Sequence, residues 1–299
     1  MSRERLALLA AAVVGVQVGA CIAGSRWVVH ELGPVSLTFL RYAIALTSLL
    51  PFLASAPLAL RRLTMREALG VALLGIAQFG LLIALLNVGL THIGAGLGAL
   101  LFATFPLMTM TIATALGRER FDVPLTLGVL LSVAGVGIAL GVKPDAVGDR
   151  GWAIGAACVL GAALCGAVCS VLYRPLLERH AMLPLGALAM AAAVAVLLPV
   201  AWAEGLPARA AMLSAAQWAV VAAIGLSSGV AYWVWLWALK HAAPTKATAF
   251  LALSPVTATL IGTAAMGEPA GWGLVAGVVC IFVGLALAAT RRVQADPLL

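Results

Sequence analysis

Charge is what this sequence has least of. Only 10% of its 299 residues are Asp, Glu, Lys or Arg, against roughly 25% in an ordinary soluble domain. Apolar residues make up 64%, and the mean hydropathy is +1.12. No water-soluble fold has an interior able to take that much apolar surface, so a free globular domain is excluded. Also missing are the motifs of catalysis: H-E-x-x-H, G-x-S-x-G, a Gly-rich phosphate loop and paired carboxylates inside an apolar run. Without them the chain does not read as an enzyme. The five cysteines (Cys21, Cys158, Cys165, Cys169, Cys280) form no C-x-x-C pair and have no clustered histidines beside them. They read as small packing residues, and no metal or cofactor is expected.

What the sequence does have is long apolar runs. They lie near residues 6–29, 35–56, 67–90, 93–116, 124–142, 152–174, 183–203, 217–239, 245–266 and 271–290. A helix crosses the roughly 30 Å hydrocarbon layer in about 20 residues, so ten spans use nearly the whole chain. The first run is too long for a signal-peptide core and is kept as a helix. The runs are continuous rather than alternating, which argues against a barrel. The net charge of +7 is spread through the loops and does not indicate nucleic acid. With the N-terminus inside, thirteen Lys and Arg collect on the cytoplasmic side and four (Lys143, Arg150, Arg209, Arg26) on the other. Both termini are therefore expected in the cytoplasm.

The chain also repeats itself. Shifted by 149 residues, Leu90–Ala139 overlays Leu239–Ala288 without a gap, and 13 of the 50 positions are identical. His92 falls on His241, Pro106 on Pro255, Glu119 on Glu268, Gly128 on Gly277 and Gly135 on Gly284. Composition alone does not put a histidine, a proline and a glutamate on one diagonal. An odd number of spans per copy inverts the second relative to the first. The predicted architecture is an all-α membrane protein of ten transmembrane helices in two inverted five-helix repeats, 1–145 and 146–299. Two inverted copies around a central site suit alternating access, which points to transport.

Several local patterns resemble those of one family. Gly24-Ser25-Arg26-Trp27 resembles a W-G-S-N-F stretch, with Ala23 in place of the tryptophan and Arg26 in place of the asparagine. Pro34, Arg41-Tyr42 and Ala45 are similar to P...R-[FY]..A. Pro106 with Gly117-Arg118-Glu119-Arg120, and Pro255 with Gly267-Glu268-Pro269, are similar to P...G-E-R. In this order they resemble the EamA-type ten-helix exporters of the drug/metabolite transporter superfamily, which include amino-acid exporters. The resemblance implies a central cavity lined by spans one, three, four, six, eight and nine, and a small-molecule substrate.

Polar groups within spans are costly and usually face a bundle interior. On the helices the resemblance places around the cavity, the candidate substrate-binding residues are Gln17, Gln78, Asn87, Thr104, Tyr173, Tyr232, Trp233 and Ser254. The competing reading for each is an interhelical hydrogen bond, or for hydroxyls a bond back to the preceding turn. Tyr232-Trp233-Val234-Trp235-Leu236-Trp237 is the densest aromatic cluster. Trp233 and Trp237 share a helical face while Trp235 points away, and both an interfacial belt and a cavity wall remain open. Arg26 and Arg41 are candidate gating residues, with snorkelling to the surface as the alternative. Gly15-x-x-x-Gly19 and Gly94-x-x-x-Gly98 permit close helix approach, and Pro106 and Pro255 are candidate paired hinges. All eleven acids lie at the ends of runs or between them. A midplane carboxylate is the usual proton carrier, so its absence favours gradient-driven movement, or coupling through His92 or another group. The expected function is export of small metabolites, amino acids foremost, from a bacterial inner membrane by a monomer. Drug or other metabolite movement in either direction is the alternative, and a structural subunit is the reading from another class.

Overall fold

The computed structural model describes residues 3–54, 63–93, 95–118, 123–140 and 150–266, with isolated residues between 272 and 284. Among these the chain is helical and contains no strand. In order the helices are α1 (Arg3–Leu32), α2 (Pro34–Ala54), α3 (Met65–His92), α4 (Ala95–Phe102), α5 (Phe105–Ala115), α6 (Val123–Leu140), α7 (Arg150–Arg179), α8 (Met182–Ala203), a short α9 (Leu206–Ala211), α10 (Ala215–His241), α11 (Pro244–Ala249) and α12 (Leu253–Met266). Five of them, α1, α3, α7, α8 and α10, are long and apolar enough to cross a membrane. Their outward faces carry exposed apolar side chains such as Leu9, Val13, Leu73, Val200 and Val230. Lipid covers such a surface at no cost, whereas water does not. The tenth apolar run, 271–290, lies mostly outside the described residues, as do Glu119 and Glu268.

Local sequence sets the ends. Thr64 and Ser214 each cap a helix through a reciprocal box, with Glu67 and Gln217 three residues on, which satisfies otherwise orphaned N–H donors. Gly33 turns the chain between α1 and α2 at φ 93°. A side chain there would meet the Glu204 carboxylate, which accepts from the Ser36 amide at 2.6 Å and so caps α2.

Two expected single spans are broken. The run 93–116 is interrupted at Ala103–Thr104, and 245–266 passes through a 3-10 turn at Phe250–Ala252. Ala103 and Ala252 are repeat-equivalent, so both breaks occur at the same place. The cause is Pro106 and Pro255. Each lacks an N–H and sits in the first turn of the helix after the break, where that lack costs least. Thr104 and Leu253 then bond to the residue three back, Leu101 and Phe250.

The main contacts run in matched pairs between residues before 141 and residues after 150. Helix α1 packs on α10 as α7 packs on α3; α2 lies against α10 as α8 lies against α3. Helix α1 also lies along α12 as α7 lies along α5, and α2 meets α8 directly. Gly15 and Gly19 of α1 abut the backbone carbonyls of Phe250 and Ser254, leaving no room for a Cβ. The first small-xxx-small motif therefore does bring helices together, against the second broken span. Gly94, of the other motif, lies outside the described residues.

Helices α3 and α10 correspond, but α3 has 28 residues and α10 has 27. Thr64, Glu67 and Gly75 pair with Ser214, Gln217 and Gly225, whereas Gly80, Leu90 and His92 pair with Gly229, Leu239 and His241, one residue out of step. A π-turn at Ile76–Leu81 takes up the extra residue, with the Leu82 amide bonded to the Ala77 carbonyl. Such turns arise from single insertions and gather at functional sites. The Cys165 thiol also reaches the Ala77 carbonyl, at 3.3 Å. All five cysteines are free.

Candidate functional site

The broken helices, the π-turn and α10 meet around a cavity of about 90 Å³. At about 10–15 Å³ of such space per water, that is room for a small organic molecule. Its wall is mostly apolar: Phe79, Leu82, Ile83 and Leu86 from α3, Phe102 and Phe105 on either side of the first break, Trp235 from α10, and Leu251 in the 3-10 turn. Rings fix its shape. Phe79 packs on Tyr42 at 4.7 Å between centroids and edge-on to Tyr232 at 4.4 Å. Into this wall project Gln17, Gln78, Arg41, Ser228 and the Tyr232 ring.

Gln17, Arg41 and Ser228 are each held by hydrogen bonds. Gln17 donates to Ser227 Oγ at 3.0 Å and to Cys21 Sγ at 2.9 Å, which leaves its amide oxygen free of these contacts. Gln78 lies on the π-turn. The Ser228 hydroxyl donates to the Ile224 carbonyl at 2.6 Å and accepts from Arg41 Nε at 2.8 Å. The Tyr232 and Tyr173 rings meet edge-on at 6.4 Å, with both hydroxyl oxygens buried.

Of the candidates, the structure gathers Gln17, Gln78 and Tyr232 around the cavity and adds Arg41. The others lie elsewhere. Asn87 is buried but donates to Thr38 Oγ1 at 3.0 Å and to the Pro34 carbonyl at 3.2 Å, tying α3 to the start of α2. Thr104 and Ser254 bond back to Leu101 and Leu251, spending their hydroxyls on the helix breaks. Tyr173 stands behind Tyr232 and is not part of the lining, so α7 supplies no lining side chain. Trp233 is 47% exposed on the outer face while Trp235 is 6% exposed and lines the cavity. The helical period separated those two tryptophans correctly, but with lipid and cavity both apolar it did not mark which face was inward.

Arg41 does not snorkel. It is 7% exposed, its guanidinium lies 5.4 Å from the Tyr42 ring centroid, and α2 joins the cavity wall through these two residues. Arg26 instead donates to the Leu90 carbonyl at 2.7 Å and meets His30, fastening α1 to the end of α3 outside the lining. His92 is exposed at that same end. Lys246, counted as a loop charge, is 2% exposed and pairs with Glu4 at 2.9 Å. Pro106 and Pro255 flank the cavity without lining it. No group of three or more potential metal ligands occurs among the described residues.

Comparison with known proteins bears on what such a cavity is for. A model of the EamA-like transporter family matches residues 5–141 and again 153–290. A probable terminal-alkyne amino-acid exporter of Streptantibioticus cattleyicolor is 29% identical over 254 residues, which are 83% of this chain and 82% of that protein. The uncharacterized transporter YoaV of Bacillus subtilis is 23% identical over 270 residues, 88% and 91% of the two chains. A crystal structure 20% identical in sequence superposes with a TM-score of 0.74, covering 93% of this chain and 96% of the other, and so shares the fold. With the family model matching both parts of the chain, this protein belongs to the EamA-like transporter family and is a multi-pass membrane protein.

Proposed function

We propose that this protein exports small metabolites, amino acids foremost, across a bacterial inner membrane by alternating access around the central cavity. In this reading ten spans form two inverted five-helix halves, 1–145 and 146–299, with both termini in the cytoplasm, and a monomer suffices. The observation that carries it is the cavity itself: polar groups from α1, α2, α3 and α10 converge on an apolar space where the two parts of the chain meet. A purely structural subunit has no use for such a space. The paired breaks beside Pro106 and Pro255 support hinge-like movement, because short helices separated by loosened turns can tilt independently. The name of the Streptantibioticus relative supports an amino-acid substrate. Among the described residues no acidic side chain lines the cavity, which fits movement down the substrate's own gradient.

The test is flux of radiolabelled aliphatic, aromatic and charged amino acids through proteoliposomes, with and without a proton gradient. Saturable flux, indifferent to the gradient, lowered about tenfold by Gln78→Ala and slowed by Pro106→Ala or Pro255→Ala, is the expected result. Flux of a drug-like compound with none of any amino acid would replace the substrate class. Unchanged rates in both proline variants would remove the hinges.

A further inference from the structure

Among the described residues Arg41 is the one cationic side chain in the cavity lining, and none of those lining residues is Asp or Glu. More than nine-tenths of it is removed from solvent. Its Nε donates to Ser228 Oγ, and no hydrogen bond from the described residues occupies either terminal nitrogen. A buried cation is normally paired with an anion. Lys246, a second buried cation, has one in Glu4; among the described residues Arg41 has none. With Nε anchored to Ser228 and the guanidinium held against Tyr42, two N–H groups are left on one edge of a rigid plane. That edge matches the two oxygens of a carboxylate, which arginine binds through a pair of parallel hydrogen bonds.

We propose that Arg41 is the carboxylate-binding residue of the cavity, and that the substrate supplies the anion that the described residues do not. The inference rests on the transport reading and narrows its substrate class to small carboxylates with an apolar body. Phe79, Phe102, Phe105 and Trp235 offer that body an apolar wall. In the described lining an α-ammonium group finds neutral acceptors such as the Gln17 and Gln78 amide oxygens. The carboxylate therefore contributes the main polar contact and the ammonium a lesser one. Removing the amino group of a ligand costs little, and removing the carboxylate costs most of the binding.

Four matched probes separate this role from a structural tie between α2 and α10: L-phenylalanine, 3-phenylpropionate, L-phenylalaninamide and phenethylamine. Their effect on the thermal stability of the purified, detergent-solubilised protein gives apparent affinities without requiring flux. The two acids should bind within a few-fold of each other and at least tenfold tighter than the amide and amine. Arg41→Gln should bring the acids down to the level of the amide, and Arg41→Lys should recover part of the difference. If Arg41→Gln does not fold, the ranking on the unaltered protein and on Arg41→Lys decides. Equal binding of acid and amide, or no binding of either acid, overturns the proposal. Sulfate or chloride stabilising the protein as strongly as the acids also overturns it, by giving Arg41 an inorganic counter-ion. The transport reading fails separately, if no compound in the flux panel crosses the liposome. Acid-selective binding without flux would leave Arg41 a carboxylate site in a protein that does not transport these probes.

Discussion

Helices α3 and α10 start with the same capping box, place a glycine against a helix from the other part of the chain, and end on a histidine. Between those shared points α3 holds one extra residue, and the two differ in what they bring to the cavity. Helix α10 is continuous and presents Ser228, Ala231, Tyr232 and Trp235 at regular helical spacing. Helix α3 widens into the π-turn and presents Gln78 and Phe79 from the turn, then Leu82, Ile83 and Leu86 beyond it. An insertion that propagated would rotate everything downstream by about 100°. Absorbed in a π-turn, it leaves both ends docked and changes only the middle. The packing ends of the two helices have stayed alike, and the difference is confined to the part that faces the cavity.

The sharpest way to break this comparison is to delete Ala77. If the π-turn is a local insertion, α3 becomes a continuous helix like α10, the protein still elutes as one species in detergent, and flux falls to the empty-liposome level because Gln78 and Phe79 have moved. An unfolded product would mean the turn is needed for packing. Next in size, Trp235→Ala should lower flux about tenfold while Trp233→Ala leaves it within twofold. A reversed order would place the inner face of α10 on the other side. The smallest contrast is between the two close-packed glycines. A methyl at Gly75 overlaps the Ala189 backbone, whereas one at Gly225 meets Ile44 Cβ at 2.7 Å and the Arg41 carbonyl at 3.1 Å, a shallower overlap. Overpacking costs about 1–3 kcal/mol, with Gly75→Ala at the upper end and Gly225→Ala below it in thermal unfolding. Equal losses would remove the distinction between the deeper and the shallower overlap.

The limits of sequence reasoning show in particular residues. The repeat, the apolar runs and Gly15 with Gly19 were legible because each follows from composition or spacing, whereas Gln17, Gln78 and Tyr232 came from the helices that the family resemblance places around a cavity. Asn87, Thr104 and Ser254 were chosen as polar residues in spans; Asn87 and Ser254 are buried and Thr104 half-buried. Their hydrogen bonds, however, go to Thr38, Leu101 and Leu251. Whether a buried polar group serves a ligand or the backbone depends on its neighbours, and those come from other helices. Arg41 shows the reverse: it looked free to snorkel, yet Ser228, 187 residues away in the chain, holds it inside.

The amino-acid sequence by itself determined that this is a membrane-embedded helical protein built from two related parts, because hydropathy and internal similarity are properties of the chain alone. It also carried the prolines, Pro106 and Pro255, that break the fourth and ninth apolar runs. Only the tertiary structure decided which face of each helix turns inward and which polar groups keep unmet hydrogen-bonding capacity. In a bundle whose exterior and cavity are both apolar, the helical period cannot tell the two apart. That choice is made by backbone contacts such as Gly19 on Ser254 and Gly75 on Ala189, which orient the helices around the space they enclose.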